Sequence, residues 1–227
     1  MGKDYTFFEK CSISASLNDL AYRDYVAARC LLNNELIIQG LTLASTAVEK
    51  YLKSIIVFHS IDKINYHYHF DRIEKLKNAL SNIYDLDEKF DPVFLTILEK
   101  TYKIRYYDKL KEQILIGIYL NQFLGELDAT ILDLETFIMK TQNGNNKFTN
   151  YWRAIENKDP NLYNNNYLLT KQEKKEFMEK PGFAFSICIK AGTSAIGFEK
   201  TVSCKKIAVS YDGNLSTFED FQQKWYQ

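Results

Sequence analysis

The residue types best suited to chemistry gather in TYKIRYYDKL, residues 101–110. Arg105 offers a planar cation that grips a phosphate bidentately, and Asp108 stands three residues further on. Tyr102, Tyr106 and Tyr107 supply ring faces of the kind on which bases stack. Two readings of this cluster stay open. Either Arg105 meets a ligand phosphate beside the tyrosines, or it pairs with Asp108 near a helix end while the tyrosines pack at a subunit surface. An ion pair of that kind is worth little. Glu49 and Lys53 form a second set, spaced for a helical salt bridge and also able to line a cleft on a dimer face. His67 and His69 share a short loop. A metal there needs further ligands, only Asp62 and Asp71 are near, and residues two apart do not share a helix face. Hydrogen bonding at a helix start is therefore the reading for His69, and no metal is assigned. The sequence contains no glycine-rich phosphate loop, nucleophile elbow or zinc motif. The binding candidates are Arg105, Asp108, Tyr102, Tyr106, Tyr107, Glu49, Lys53 and His69, with no catalytic residue assigned and no cofactor expected.

Composition bounds what these residues can serve. Lys plus Arg equals Asp plus Glu at 29 each, so no global field draws the chain to nucleic acid or an anionic membrane, and such binding must come from a local patch. Hydrophobic residues at 46% allow a self-sufficient core. MGKDYTFFEKCSIS lacks the apolar run of a signal peptide, and no segment reaches the length of a membrane span, so the expectation is a soluble cytoplasmic protein with no membrane partner. Cys11, Cys30, Cys188 and Cys204 are widely spaced, as befits reduced thiols, and the apolar neighbours of Cys30 and Cys188 predict burial.

Helices must position the candidates. The pattern over 18–141 is helical nearly throughout, with Asn18 or Asp19 capping a first helix that carries Leu20, Tyr22, Val26, Leu31 and Leu32. A second, over about 35–60, repeats Leu41, Ala44, Val48, Tyr51, Ile55 and Phe58, and further apolar residues around it mark it as central. A third uses Ile73, Leu76 and Leu80. Asp91-Pro92 starts a fourth, which the reading continues through RYYDKL. In the fifth, Leu120, Leu124, Leu127, Ile131, Leu134 and Ile138 form one seam, suited to the core or to a partner helix. TQNGNNKFTN breaks the period and places a boundary between residues 1–141 and 142–227. Beyond it come an Asn-rich loop, NLYNNN, a short helix with Thr170 and Glu173 at capping-box spacing, strands in FAFSICIK and KKIAVSY, and a final helix in FEDFQQKWY.

The succession YRDYVAARCLLNN, LASTAVEKYLKSIIVFH, HFDRIEKL and TYKIRYYD resembles the HEPN domain of bacteria and archaea over about residues 18–140. Its most specific part is Ala44 and Ala47 followed by VEKYLK, with Glu49, Lys50 and Lys53 where that family often has them. HFDRIEKL is similar to the family's His-x-Leu segment, with Phe70 in place of the usual small polar residue. The resemblance implies a mainly α, up-and-down bundle of about five helices that commonly dimerises; it leaves the last third of the chain unexplained, where the strand and helix patterns over 142–227 predict a small C-terminal α+β extension of unknown role.

Many HEPN proteins are metal-independent ribonucleases that pair an Arg with a His about four to six residues later, the His as acid or base and the Arg on the phosphate. Here every histidine precedes Arg105. RYYD instead resembles the Arg-Tyr-x-Asp branch, associated with nucleotide binding and nucleotidyltransferase partners. The resemblance therefore implies a homodimer that binds nucleotide or RNA, or that partners a nucleotidyltransferase or another defence or toxin–antitoxin component. Two alternatives stay open: an endoribonuclease using Arg105, Asp108 and Tyr107 without His, and a structural adaptor that engages a partner through the Leu120–Ile138 seam.

Overall fold

The computed structural model describes residues 5–59, 70, 73–106, 110, 113–141, 149–190, 193–201 and 210–211. It is mainly helical. The first helix, α1 (Phe7–Asn33), begins eleven residues before the expected cap. Thr6 and Glu9 form a reciprocal capping box: the Glu9 amide donates to Thr6 Oγ1 at 3.3 Å and the Thr6 amide to Glu9 Oε2 at 2.8 Å. Asn18 and Asp19 thus lie inside the helix. Its buried face is Ala21, Tyr25, Ala28 and Leu32, while Leu20 is exposed.

Asn34, Glu35 and Leu36 turn the chain into α2 (Ile37–His59), with Glu35 at φ 62°. So short a link forces an antiparallel pair, and the contacts agree. Ser14 hydrogen-bonds Ser54 at 2.8 Å, Lys50 reaches Asp24 at 2.6 Å, and Gly40 lies against Leu32. A Cβ on Gly40 would stand 2.6 Å from Leu32 Cγ, so the lack of a side chain there lets the helices close. α2 is central as expected: Leu41, Ala44, Val48, Tyr51, Leu52 and Ile55 are fully buried.

The short α3 (Ile73–Leu80) buries Leu76 and Leu80, and α4 (Leu86–Lys89) is a single turn capped by Asp85. α5 (Pro92–Ile104) starts where Asp91-Pro92 predicts: the Phe94 amide donates to Asp91 Oδ1 at 2.8 Å, and Pro92 has no amide to leave unpaired. It ends at Ile104, earlier than expected. Strand β1 (Ile114–Tyr119) then follows, in a stretch that the helical pattern over 18–141 does not mark as a strand. ILIGIY is apolar throughout and half isoleucine, and periodicity cannot separate a strand buried on both faces from a buried helix.

α6 (Leu120–Thr141) buries its whole seam; Leu124, Leu127, Ile131, Leu134 and Ile138 are each 0% exposed. The seam belongs to the core, which removes the surface on which the adaptor reading relied. Next come α7 (Asn150–Glu156), α8 (Pro160–Tyr163) and α9 (Lys174–Glu179). Glu173 is itself the N-cap residue of α9, and the Thr170 hydroxyl donates back to the Asn166 carbonyl at 2.8 Å, so the expected capping box does not form.

β2 (Gly182–Lys190) contains FAFSICIK as predicted, and β3 (Thr193–Thr201) and β4 (Ser210–Tyr211) complete a sheet of order β3-β2-β1-β4. β1 pairs antiparallel with β2, Ile114 opposite Ile189 and Tyr119 opposite Ala184, and on its other edge with β4. Strands from both sides of residue 142 therefore share one sheet, and one apolar cluster runs from Ala21 through Leu127 and Tyr151 to Ile189. Most of KKIAVSY, all of FEDFQQKWY and residues 142–148, where the boundary was placed, lie outside the described residues. No helix among those described is long and apolar enough to cross a membrane.

Candidate functional site

The arginine cluster is built at the end of α5. The helix is held on α2 from behind: Ser45 Oγ donates to the Leu98 carbonyl at 2.9 Å, and Thr101 Oγ1 donates to the same oxygen at 3.1 Å. Tyr102 and Ile104 are buried and fix the last turn. Arg105 is the C-cap residue. Its amide reaches the Tyr102 carbonyl at 3.3 Å, and the Tyr106 amide reaches that of Lys103 at 3.1 Å. A cation at this position is favoured by the unpaired carbonyls of the helix end.

The guanidinium carbon of Arg105 lies 5.1 Å from the centroid of Tyr102 and 5.9 Å from that of Tyr106, both within cation–π range. The two rings stand 6.2 Å apart at 58°. Tyr102 is 5% exposed and Tyr106 46% exposed, so one ring anchors the group and the other faces solvent. Arg105 is itself exposed and forms no ion pair with any described residue. α5 itself ends at Ile104. Tyr107, Asp108 and His69 lie outside the described residues, as do His67, Asp62 and Asp71. The structure thus brings together three of the predicted residues: Tyr102, Arg105 and Tyr106.

Glu49 and Lys53 form the expected bridge at 2.8 Å. Glu49 is 4% exposed, and its other oxygen accepts the Phe70 amide at 3.2 Å, so the carboxylate pins residue 70 to α2. Burial of this kind fits an anchor for the chain after α2 better than a wall of a cleft. Cys30 is exposed, against expectation, because it lies on the face of α1 opposite Ala28 and Leu32, and Cys188 is half-buried. No group of three or more His, Cys, Asp or Glu among the described residues could hold a metal ion.

Sequence reasoning missed the polar network inside the bundle. Arg29 and Asp128, both 0% exposed, form an ion pair between α1 and α6. Tyr25 donates to the same Asp128 oxygen at 2.7 Å, and Arg29 also donates to the Asn164 carbonyl beyond α8. Burial opposes a charge on Arg29, but Asp128 overcomes it and holds the guanidinium protonated. Burial likewise pushes the Asp128 carboxyl up, against the pull of Arg29.

One heptad further along α6, Glu135 accepts from Tyr51 at 2.5 Å and from Thr149, the N-cap residue of α7, at 2.7 Å. No described cation meets it, and burial raises its carboxyl from 4.5 to about 7. Asp128 and Glu135 share the α6 face of Leu124, Ile131 and Ile138. Two acids seven residues apart within an apolar seam were the available signal. Both are sealed from solvent, so this network joins elements together and does not meet a substrate.

No protein-family model, curated protein or solved structure matches this chain.

Proposed function

We propose that the chain is a HEPN-type helical module that acts as a homodimer and binds a nucleotide or single-stranded RNA at Arg105. One observation carries the reading: an exposed guanidinium, unpaired among the described residues, is held over two tyrosines at a helix end. Such a pair of groups offers a phosphate a charge-assisted contact and a base a stacking face in Tyr106. It also suits a chain of zero net charge, which needs a local patch to hold an anion. The mainly helical fold, with the antiparallel α1–α2 pair carrying Glu49 and Lys53, is compatible with the resemblance. A nucleotidyltransferase or other defence-system partner belongs to the same proposal.

The test is incubation of the purified chain with labelled single-stranded RNA in EDTA, beside the Arg105→Ala variant, with retained and cleaved RNA read separately. Retention of intact RNA that is lost in the variant supports the binding module. Metal-independent cleavage lost in the variant replaces it with the ribonuclease reading. Equal behaviour of both proteins overturns the assignment to Arg105.

A further inference from the structure

A second surface feature lies where α1 ends against α8. Cys30, Asn33, Asn34, Asn161, Tyr163 and Asn164 line an open groove of about 520 Å³, within the range of small-molecule sites. Much of NLYNNN is placed here. Two of its asparagines have structural work. Asn165 takes a left-handed conformation, φ 53°, and donates to Asn33 Oδ1 at 3.1 Å, while Asn166 Oδ1 accepts the Leu169 amide at 3.3 Å. Asn161 and Asn164 differ. Both are exposed, and neither side chain makes a hydrogen bond with a described residue.

The walls are fixed from behind. Arg29, held by Asp128, donates to the Asn164 carbonyl; the Asp159 side chain accepts the Asn161 amide at 2.9 Å; and the Tyr163 hydroxyl donates to the Ile155 carbonyl at 3.2 Å. An ion pair sealed in the core is costly in itself, and here one of its two ends sets the backbone of a groove wall. The groove therefore stands ready without rearrangement, which lowers the cost of binding.

The lining defines the ligand. No charged side chain contributes to it, so nothing in it selects a phosphate or carboxylate. The Asn34 amide group is engaged by the Cys30 carbonyl at 2.8 Å, which leaves its oxygen as an acceptor, while Asn33, with its oxygen engaged by Asn165, keeps its donors. With two whole carboxamides besides, the groove offers matched donors and acceptors next to a tyrosine ring. A carboxamide pairs bidentately with the edge of a base such as adenine, and an aromatic ring takes its face.

We propose that this groove is a binding site for an uncharged nucleobase, presented as a nucleoside, and that it is separate from the Arg105 site. Cys30 serves as its reporter, being an exposed thiol in the lining. The experiment is iodoacetamide alkylation of the full chain with each of the four common ribonucleosides, read at Cys30 by peptide mass spectrometry. At about ten times Kd only about a tenth of the sites stay free, so alkylation of Cys30 is expected to slow about tenfold. The double variant Asn161→Ala, Asn164→Ala, with unchanged circular dichroism, should lose that protection, and Arg105→Ala should keep it. Absence of saturable protection by any nucleoside, equal protection by ribose alone, persistence in the asparagine variant or loss in Arg105→Ala would each overturn the proposal.

Discussion

Glu135 gives the most quantitative test of the core. Its carboxyl is buried between Tyr51 and Thr149 with Tyr22 and Tyr151 nearby and no described cation, and burial raises it from 4.5 to about 7. Between those values the folded chain holds a proton that the unfolded chain has released. Its contribution to stability is therefore complete below 4.5 and is lost as the pH rises through about 7. The loss between about pH 5 and about pH 8 is ~2.5 kcal/mol. Glu135→Gln keeps a neutral group of the same shape and removes the titration. Urea unfolding of both proteins across this range isolates the effect, because all other carboxylates cancel in the difference. Relative to the wild type, the variant should be more stable by ~1 kcal/mol near pH 5 and by ~3 kcal/mol near pH 8. A pH-independent difference would refute the reasoning, since it would mean that Glu135 titrates alike in both states.

Three further outcomes follow from the packing and the site. Asp128→Asn leaves the Arg29 guanidinium buried without its counter-charge and should cost ~3 to 5 kcal/mol in urea unfolding, whereas Arg29→Met with Asp128→Leu should cost less. Gly40→Ala places a methyl group 2.6 Å from Leu32 Cγ where α1 and α2 close; a loss of ~1 to 3 kcal/mol is expected from thermal melts. Tyr106→Ala removes the exposed stacking face and should weaken single-stranded RNA binding by ~1 to 3 kcal/mol with the melting temperature nearly unchanged, as read by filter binding beside calorimetry.

Local signals were legible where one principle dominates. The step of three and four in α6 predicted a seam, Asp91-Pro92 predicted the start of α5, and FAFSICIK predicted β2. The start of α1 was missed although Thr6 and Glu9 carry a capping box, because the apolar repeat beyond Asn18 drew the boundary inward. β1 was missed because ILIGIY has no polar alternation; both its faces are covered, and only tertiary pairing with β2 and β4 reveals it. At the candidate site, the clustering of Tyr102, Arg105 and Tyr106 was legible because they are near neighbours along the chain. The link from Arg29 to Asp128 and Asn164 was not, since it joins residues 99 and 135 positions apart that meet only when α1, α6 and the turn after α8 pack together.

The salt dependence of RNA binding tests the central claim most directly. Fluorescence anisotropy with a labelled single-stranded oligonucleotide, in EDTA and over a range of potassium chloride, yields both affinity and the number of phosphates engaged. If Arg105 holds one phosphate per chain, Arg105→Ala should weaken binding by ~1.5 to 3 kcal/mol and flatten the slope of log K against log salt by ~0.7 for each site removed. Lysine at the same position should restore most of the slope but less of the affinity, because a compact ammonium does not reproduce a stacked, planar fork. The same slope and affinity in wild type and Arg105→Ala would contradict the account and place any RNA contact elsewhere on the chain.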